Sequence, residues 1–460
     1  MSDVVIVGAG PAGMACALAL ADAGIASTLL DDNAEAGGQI FRTGPGAGRL
    51  PDLPGTDPRG EALRAALARR AGLISYRPGH QVVGLHAGPV VWAVDGQDNA
   101  QRFAPRALVL ATGALEVVVP VPGWTLPGVY GLGGLQTLIK SSALVPLGPV
   151  VLGGAGPLLY LVAAQLATLG VEIAAVVDAA PWPNLRQLAG MARRPELLAR
   201  GVGFELALRR RGIGILRGHA VVEVVGDDGP REVVAAPVDD TWHPHCDDVE
   251  DLRRFPARVV GLGHGIRPNV ELSLLAGCEH DFDIQRGGWH VRRDVELMTT
   301  VDGIYAAGDG AAVGGVDRAL AEGRHAARAI CRRLGKPVGT PAEDFTAFDA
   351  FRDAVADWSG LRPDIFHAAN GDTTICRCED VTHAELETAL AHGLALPRGL
   401  KMATRIGMGL CQGRTCAPAL QHLTARATGQ PLAEIALPTV RTPVRPVTMA
   451  ALAQLPLEQP

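Results

Sequence analysis

VVIVGAGPAG, residues 4–13, is an apolar strand running straight into a glycine-rich turn. Gly8, Gly10 and Gly13 stand in a G-x-G-x-x-G frame. A small-residue helix is expected over 14–23, a break at Gly24 and a second strand over 27–30, stopping at Asp31. Each glycine has a physical task in such a unit. The first makes the tight turn, the second lets backbone approach a pyrophosphate, and the third lets helix and strand pack closely. The helix start offers unpaired N–H groups and the positive end of its dipole to that anion. Gly8, Gly10, Pro11, Ala12 and Gly13 are therefore expected at a dinucleotide. Asp31 is placed to accept from ribose hydroxyls, with Asp32 as its neighbouring alternative. Strand, glycines, helix, second strand and acid in this order specify much more than the glycines alone.

Further segments extend the reading toward FAD. AEAGGQI (34–40) brings Gly38 and Gln39 to the dinucleotide. LVLATGALE (108–116) returns a strand and an Ala-Thr-Gly turn, with Thr112 and Gly113 as contacts, and HQVVGL places Val82 at the adenine. GIYAAGDGA (303–311) is a strand ending at Gly308 and Asp309, similar to the second flavin motif of two-dinucleotide-domain flavoproteins. That similarity implies an Asp bonded to the ribityl–phosphate region.

GPVVLGGAGPLLYLVAAQLATLGVEIAAVVD (148–178) repeats the design with one change. Gly154 and Gly156 keep two glycines, but Leu159 stands at the third position. A branched side chain there should hold helix and strand apart. It weighs against NAD(P) and leaves the ligand of this unit open. The same stretch contains the longest apolar run, 145–169, but its prolines and glycines fit a strand, turn and helix better than a membrane span.

The second decisive feature lies near the C-terminus. Cys376 and Cys378 form a C-x-C pair, Cys411 and Cys416 a C-x4-C pair, with 32 residues between them. Four thiolates are the ligand set of a 2Fe–2S cluster, with C-x-C expected on one iron and Cys411 and Cys416 on the other. Zinc is the rival, but tetrahedral zinc sites more often use C-x2-C knuckles. Gly407, Gly409 and Gly413 would bring backbone N–H groups to the sulfurs. Lys401, Arg405 and Arg414 would offset the cluster's negative charge. Thr382 and Glu385 form a capping box that starts one of two helices between the pairs. Cys16, Cys246, Cys278 and Cys331 are scattered singly and form no redox pair. His243, His245, Cys246, Asp247 and Asp248 lie close together, but no second pair with ligand spacing accompanies them, so no metal is expected there.

Bulk properties agree. A chain of 460 residues exceeds one compact core. Its net charge of −6, without a basic run, argues against nucleic acid. No basic, apolar leader precedes the first strand, so a cytoplasmic protein is expected, at most peripherally associated with a membrane through partners. The fold class expected is α/β: two Rossmann-like, glutathione-reductase-type dinucleotide-binding domains, the second inserted in the first, plus a small helical 2Fe–2S domain. The divisions are 1–118 and 291–335 for FAD, 119–290 for the insert, 336–368 for a Pro- and Gly-bearing linker followed by a short amphipathic helix, 369–440 for the cluster domain and 441–460 for a tail.

VVIVGAGPAGMACA, GGQIFR, ATGALE, PGWTLPGV, LGGAGPLLYLVAAQL, YAAGDGA, CRCEDV…MGLCQGRTCAP and RTPVRPVTMAALA together resemble the α (B) subunits of heteromeric, dye-linked amino-acid dehydrogenases. That family includes hydrogen cyanide synthase, opine oxidase and D-hydroxyproline dehydrogenase. The last domain is similar to bacterioferritin-associated ferredoxin, with a wider final cysteine spacing. The resemblance implies FAD and a cluster in this chain, a separate β subunit that oxidises the substrate, a small ferredoxin-like γ subunit, and a quinone or other acceptor. It implies no catalytic residue here. Val117 departs from the family's usual Arg, so no anion contact is carried over to that position. A stand-alone NAD(P)H-dependent flavin and iron–sulfur reductase is the alternative enzyme. A scaffold with a structural nucleotide is the alternative without chemistry.

Overall fold

The computed structural model describes residues 3–455 apart from 47, 87 and 340, so part of the expected tail (456–460) lies outside the described residues. Its first sheet is parallel, in the order Ile304–Ala306, Ala107–Leu110, Val4–Val7, Ser27–Leu30, Ile74–Arg77. These strands are short apolar runs, as a sheet covered on both faces requires. Alternation sorts them. Val4 and Ile6 pack with the helix side, including Met14 and Leu20 of helix Pro11–Asp22 and Ile330 of helix Val316–Arg333. Val5 and Val7 pack against the antiparallel meander Gln81–His86, Val90–Val94, Ala100–Phe103.

The sequence repeat is a structural repeat. Val150–Gly154 is flanked by Ile173–Asp178 and Val259–Gly263, with Ile215–Arg217 and Val129–Gly131 outside, again all parallel. Helices Leu132–Ser142 and Pro157–Thr168 share the core on one face. A second meander, His219–Gly226, Pro230–Pro237, Arg253–Pro256, covers the other. The chain enters and leaves this unit at the short pair Ala114–Glu116 and Ile266–Pro268. The apolar run 145–169 is divided between strand Val150–Gly154 and helix Pro157–Thr168. Among the described residues, no helix is long and apolar enough to cross a membrane.

The amphipathic helix expected after the linker forms. Helix Thr346–Ser359 packs on helix Leu185–Met191 so closely that a Cβ on Gly190 would lie 2.6 Å from Cβ of Ala354. Beyond it, the hairpin Thr374–Cys376 and Val381–Thr382 leads into helices His383–Ala391, Pro397–Thr404 and Ala417–Thr428. The capping box at Thr382 and Glu385 forms as its sequence dictates. The last helix, Met449–Leu452, returns to the first meander, where Ala451 packs with Val83 and Val94.

Candidate cofactor sites

Backbone alone brings the first four motifs together. Gly8 has φ +102°, and a Cβ there would lie 2.2 Å from the carbonyl oxygen of Ala111. One on Gly13 would lie 1.8 Å from the Gly8 carbonyl oxygen. Gly38, at φ +58°, faces Gly10 with 3.0 Å between its imagined Cβ and the Gly10 Cα. The later turn closes the ring: a Cβ on Gly308 would be 2.9 Å from Cβ of Ala12, and one on Gly310 would be 2.5 Å from Thr112 Oγ1. Residues 8–13, 37–38, 111–113 and 308–310 thus meet where only glycine permits it. Pro11 occupies the first turn of its helix, Gly10 caps it without a side chain, and its leading N–H groups face this junction.

Asp31 is buried at the end of its strand. One carboxylate oxygen accepts from Ala9 N–H in the glycine loop, and the other from the backbone and side-chain nitrogens of Asn33, both at 2.8 Å. Burial raises its pKa, more than these bonds lower it. The acid therefore also shapes the loop; Asp32 is exposed. The backbone N–H of His80 donates to the Asp31 carbonyl at 2.8 Å, which sets the strand carrying buried Val82 beside the acid. Thr112 Oγ1 donates to the Asn269 carbonyl at 2.8 Å. Asp309 is half-buried and accepts from the N–H groups of Gly314 and Gly315, both at 2.9 Å, and desolvation raises its pKa. Gln39 is exposed.

Glu322 escapes a sequence reading, because a glutamate in an amphipathic helix looks like a solvent-facing residue. It has no exposure and accepts from Arg293 (2.7 and 2.8 Å), Arg318 (2.8 Å) and the N–H of Gly308 (2.7 Å). Burial opposes its charge, yet the two guanidiniums prevail and hold its pKa below the usual range. It anchors the turn that carries Asp309. Glu322→Ala leaves two arginines facing an empty partner and is expected to cost about 3–5 kcal/mol, read from urea midpoints. A loss below about 1 kcal/mol contradicts this anchoring role.

The second unit is built differently at its mouth. Leu159 is fully buried in the core beneath it. Asp178 ends the second strand, but it turns inward: it accepts from Tyr160 Oη, Ala180 N–H (3.0 Å) and Arg217 (3.1 Å). Trp358 stacks on Tyr160 with ring centroids 6.5 Å apart and donates to the Pro181 carbonyl at 2.7 Å. Ser359 Oγ sits 3.2 Å from where a Cβ on Gly156 would be. The chain's own segment thus packs over the turn where a pyrophosphate would lie.

Burial dominates the Asp178 carboxyl and pushes its pKa up to about 6, although Tyr160, Ala180 and Arg217 pull the other way. A carboxyl with a higher pKa folded than unfolded takes up a proton on folding, here between roughly pH 4 and pH 6. The cost of ionising it is absent below that window and complete above it, so its contribution falls as pH rises. Asp178→Asn is expected to remove a decline on the order of 3 kcal/mol across that window. Denaturation midpoints at both ends measure it, and an unchanged pH slope contradicts it.

The four C-terminal cysteines converge in two contacting pairs that cross the two motifs. Cys376 meets Cys416 and Cys378 meets Cys411. The hairpin end and the helix start approach face to face, so each thiol finds its neighbour on the other segment. Cys376 and Cys416 are buried, Cys411 is half-buried and Cys378 is exposed. The Cys376 pKa falls to about 6, first through Cys416 and then through N–H groups that include Gly407. Burial opposes the Cys411 thiolate, but N–H groups of Thr415 and Gly413 and the Cys378 thiol outweigh it and lower its pKa. A Cβ on Gly409 would be 2.2 Å from Cβ of Cys378. All three glycines therefore lie against sulfur-bearing residues.

The expected cations behave differently. Arg405 pairs with Glu379 at 2.7 Å, and Arg414 pairs with Glu271 at 2.6 Å while donating to the carbonyls of Cys411 and Val444. Their charges are already matched, and Arg414 chiefly joins the thiol domain to helix Glu271–Leu275. Arg267, which sequence reasoning missed, is half-buried near Cys416, donates to the Arg414 carbonyl at 2.9 Å and leaves its enclosed Nε without a hydrogen-bond partner.

The fold and the glycine junction define a two-dinucleotide-domain flavoprotein oxidoreductase. The chain matches the pyridine nucleotide-disulphide oxidoreductase family over residues 2–329 and the sarcosine oxidase A3 domain over residues 370–455. It is 34% identical to hydrogen cyanide synthase subunit HcnB of Pseudomonas protegens, over 97% of this chain and 96% of that one. It is 35% identical to an opine oxidase subunit of Agrobacterium tumefaciens, over 99% of this chain and 92% of that one. The crystal structure of L-proline dehydrogenase from P. horikoshii shares the fold, with a TM-score of 0.68 at 21% identity, over 98% of this chain and 79% of that one. The chain belongs to the family of flavoprotein oxidoreductase subunits that contains HcnB and this opine oxidase subunit.

Proposed function

We propose that this chain is the electron-transferring α subunit of a heteromeric dehydrogenase that oxidises an amino acid, opine or hydroxyproline-type amine. Residues 1–118 and 291–335 hold FAD, with Gly8, Gly10, Pro11, Ala12, Gly13, Asp31, Gly38, Gln39, Val82, Thr112, Gly113, Gly308 and Asp309 around it. Asp31 retains an acceptor position on the oxygen that Ala9 uses, enough for a ribose hydroxyl. Residues 369–440 hold a 2Fe–2S cluster on Cys376, Cys378, Cys411 and Cys416, which supplies one-electron carriage between a flavin and a quinone or other acceptor.

The observation that carries this reading is the arrangement of the four thiols. Cys376 contacts Cys416 and Cys378 contacts Cys411, with N–H groups of Gly407, Gly413 and Thr415 directed at the sulfurs, a donor set that suits a cluster of two irons. The protein's own part is to bury one pair, aim N–H groups at the sulfurs and present the other pair at the surface. Leu410, beside Cys411, is 80% exposed and gives the outer pair an apolar rim suited to a partner subunit or carrier protein.

Trp358 and Ser359 over the second unit favour a subunit fed by a partner over a self-sufficient NAD(P)H reductase. Anaerobically purified chain is expected to show flavin absorbance with iron and acid-labile sulfide in equal amounts. It should oxidise no amine alone, and its flavin should stay oxidised with NADH. Robust amine turnover by the isolated chain, or prompt bleaching by NADH, overturns the assignment.

A further inference from the structure

A second cluster of metal-ligating side chains lies away from the cysteines and the glycine junction. We infer that His243, Asp364 and His367 form a binding site for a divalent transition-metal ion of the zinc type. The site clamps the central unit to the segment that leads into the thiol domain. One ligand atom from each of the three residues lies within 4.8 Å of the other two. The residues come from opposite sides of a junction. His243 sits in the loop joining strands Pro230–Pro237 and Arg253–Pro256; Asp364 and His367 sit on the 3-10 helix Pro363–Ala368.

Local structure explains the convergence. A 3-10 helix repeats every three residues, so side chains at i and i+3 eclipse. Ile365 and Phe366 point into the core, 0% and 1% exposed, which leaves Asp364 and His367 together on the outer face. Across the junction, Trp242 is buried and anchors its loop, and Asp239 Oδ1 accepts from the N–H groups of Thr241 (2.8 Å) and His243 (3.0 Å). The two imidazoles meet edge to face with centroids 4.6 Å apart.

The surroundings suit metal ligation. Nδ1 of His367 lies 2.9 Å from the Asp364 carbonyl oxygen. With the ring proton on that nitrogen, Nε2 keeps its lone pair, the usual outer support of a ligating histidine. Thr241 Oγ1 lies between two carboxylates, 2.7 Å from Asp239 Oδ1 and 2.9 Å from Asp364 Oδ2, and its one proton is shared between them, which holds Asp364 beside the loop and leaves its Oδ1 for a cation. Ligand bonds of about 2.0–2.2 Å need donor separations of roughly 3–3.6 Å, which small side-chain rotations can supply. Two imidazoles and one carboxylate select zinc, cobalt or nickel over magnesium or calcium, and water completes the coordination. His245 stands farther off, its ring centroid 5.9 Å from that of His243, and Cys246 is exposed. The D-x-x-H pair thus supplies the ligands that the sequence around His243 lacks.

The experiment uses the full chain with its iron and flavin in place, stripped of loosely bound metal and titrated with Co²⁺ alone. One cobalt per chain is expected, with weak visible d–d bands and no near-ultraviolet thiolate charge-transfer band. Zn²⁺ should displace it and raise the thermal midpoint. H243A/H367A is expected to weaken cobalt binding by roughly a hundredfold or more. Circular dichroism checks that this variant folds, and D364N serves if it does not. Binding of equal strength in the variant, or only thiolate-type bands, overturns the site. Thiolate bands with no iron would instead count against the cluster assignment, so the two failures are distinguishable.

Discussion

Cys376→Ser is expected to strip the chain of iron and lower acceptor reduction by the assembled complex by about a thousandfold or more, roughly 4 kcal/mol in the barrier. Cys376 is the buried thiol that contacts Cys416 and collects the N–H groups of Gly407, Cys378 and Glu379. A serine hydroxyl there is hard and resists ionisation, and the buried partner Cys416 loses its neighbour. The flavin should remain, because its junction is made by residues 8–13, 37–38, 111–113 and 308–310. Cys378→Ser should be milder and solvent-sensitive, since Cys378 is the exposed member of the other pair. Iron analysis, visible circular dichroism and acceptor reduction by the reconstituted complex measure both. Full complex activity without iron would favour a scaffold over an electron carrier.

The fold was legible because its signals are backbone-level. Glycine at Gly8 and Gly13 leaves room for a carbonyl oxygen, and alternation in Val4–Val7 sends successive side chains to different covering layers. The four thiols were legible because cysteines at C-x-C and C-x4-C spacing have few other uses. Their pairing was not, since it depends on how a hairpin end meets a helix start across 32 intervening residues. Glu322 and Arg267 were hidden for a related reason. Each is a charged residue enclosed by packing between distant segments, Glu322 wholly and Arg267 in part, and local sequence marks neither. The helix after the linker was legible, but not that its Trp358 and Ser359 pack against Tyr160 and the turn at Gly156, again a long-range event.

The third glycine offers the sharpest internal comparison. In the first unit Gly13 packs so that a Cβ would overlap the Gly8 carbonyl oxygen at 1.8 Å. The atom in the way is backbone at the tightest point of the loop, so the helix itself must move. In the second unit Leu159 fills that position, wholly buried among Leu132, Leu135 and Tyr160. One architecture therefore accepts a branched residue there, but only where the helix has been set for it.

Gly13→Val is accordingly expected to leave much of the chain folded while lowering FAD affinity by roughly a thousandfold, about 4 kcal/mol. Overpacking should cost stability by about 1–3 kcal/mol as well. The variant should purify without yellow colour yet retain iron, because the thiol pairs lie on a separate core. Flavin content, iron content and urea midpoints separate the two effects. The converse change, Leu159→Gly, should not create NADH binding, because Trp358 and Ser359 still cover the turn at Gly156. It should only open a cavity and cost about 2–5 kcal/mol. Stoichiometric flavin in Gly13→Val, or NADH affinity gained by Leu159→Gly, would mean that helix–strand spacing does not govern nucleotide binding in either unit.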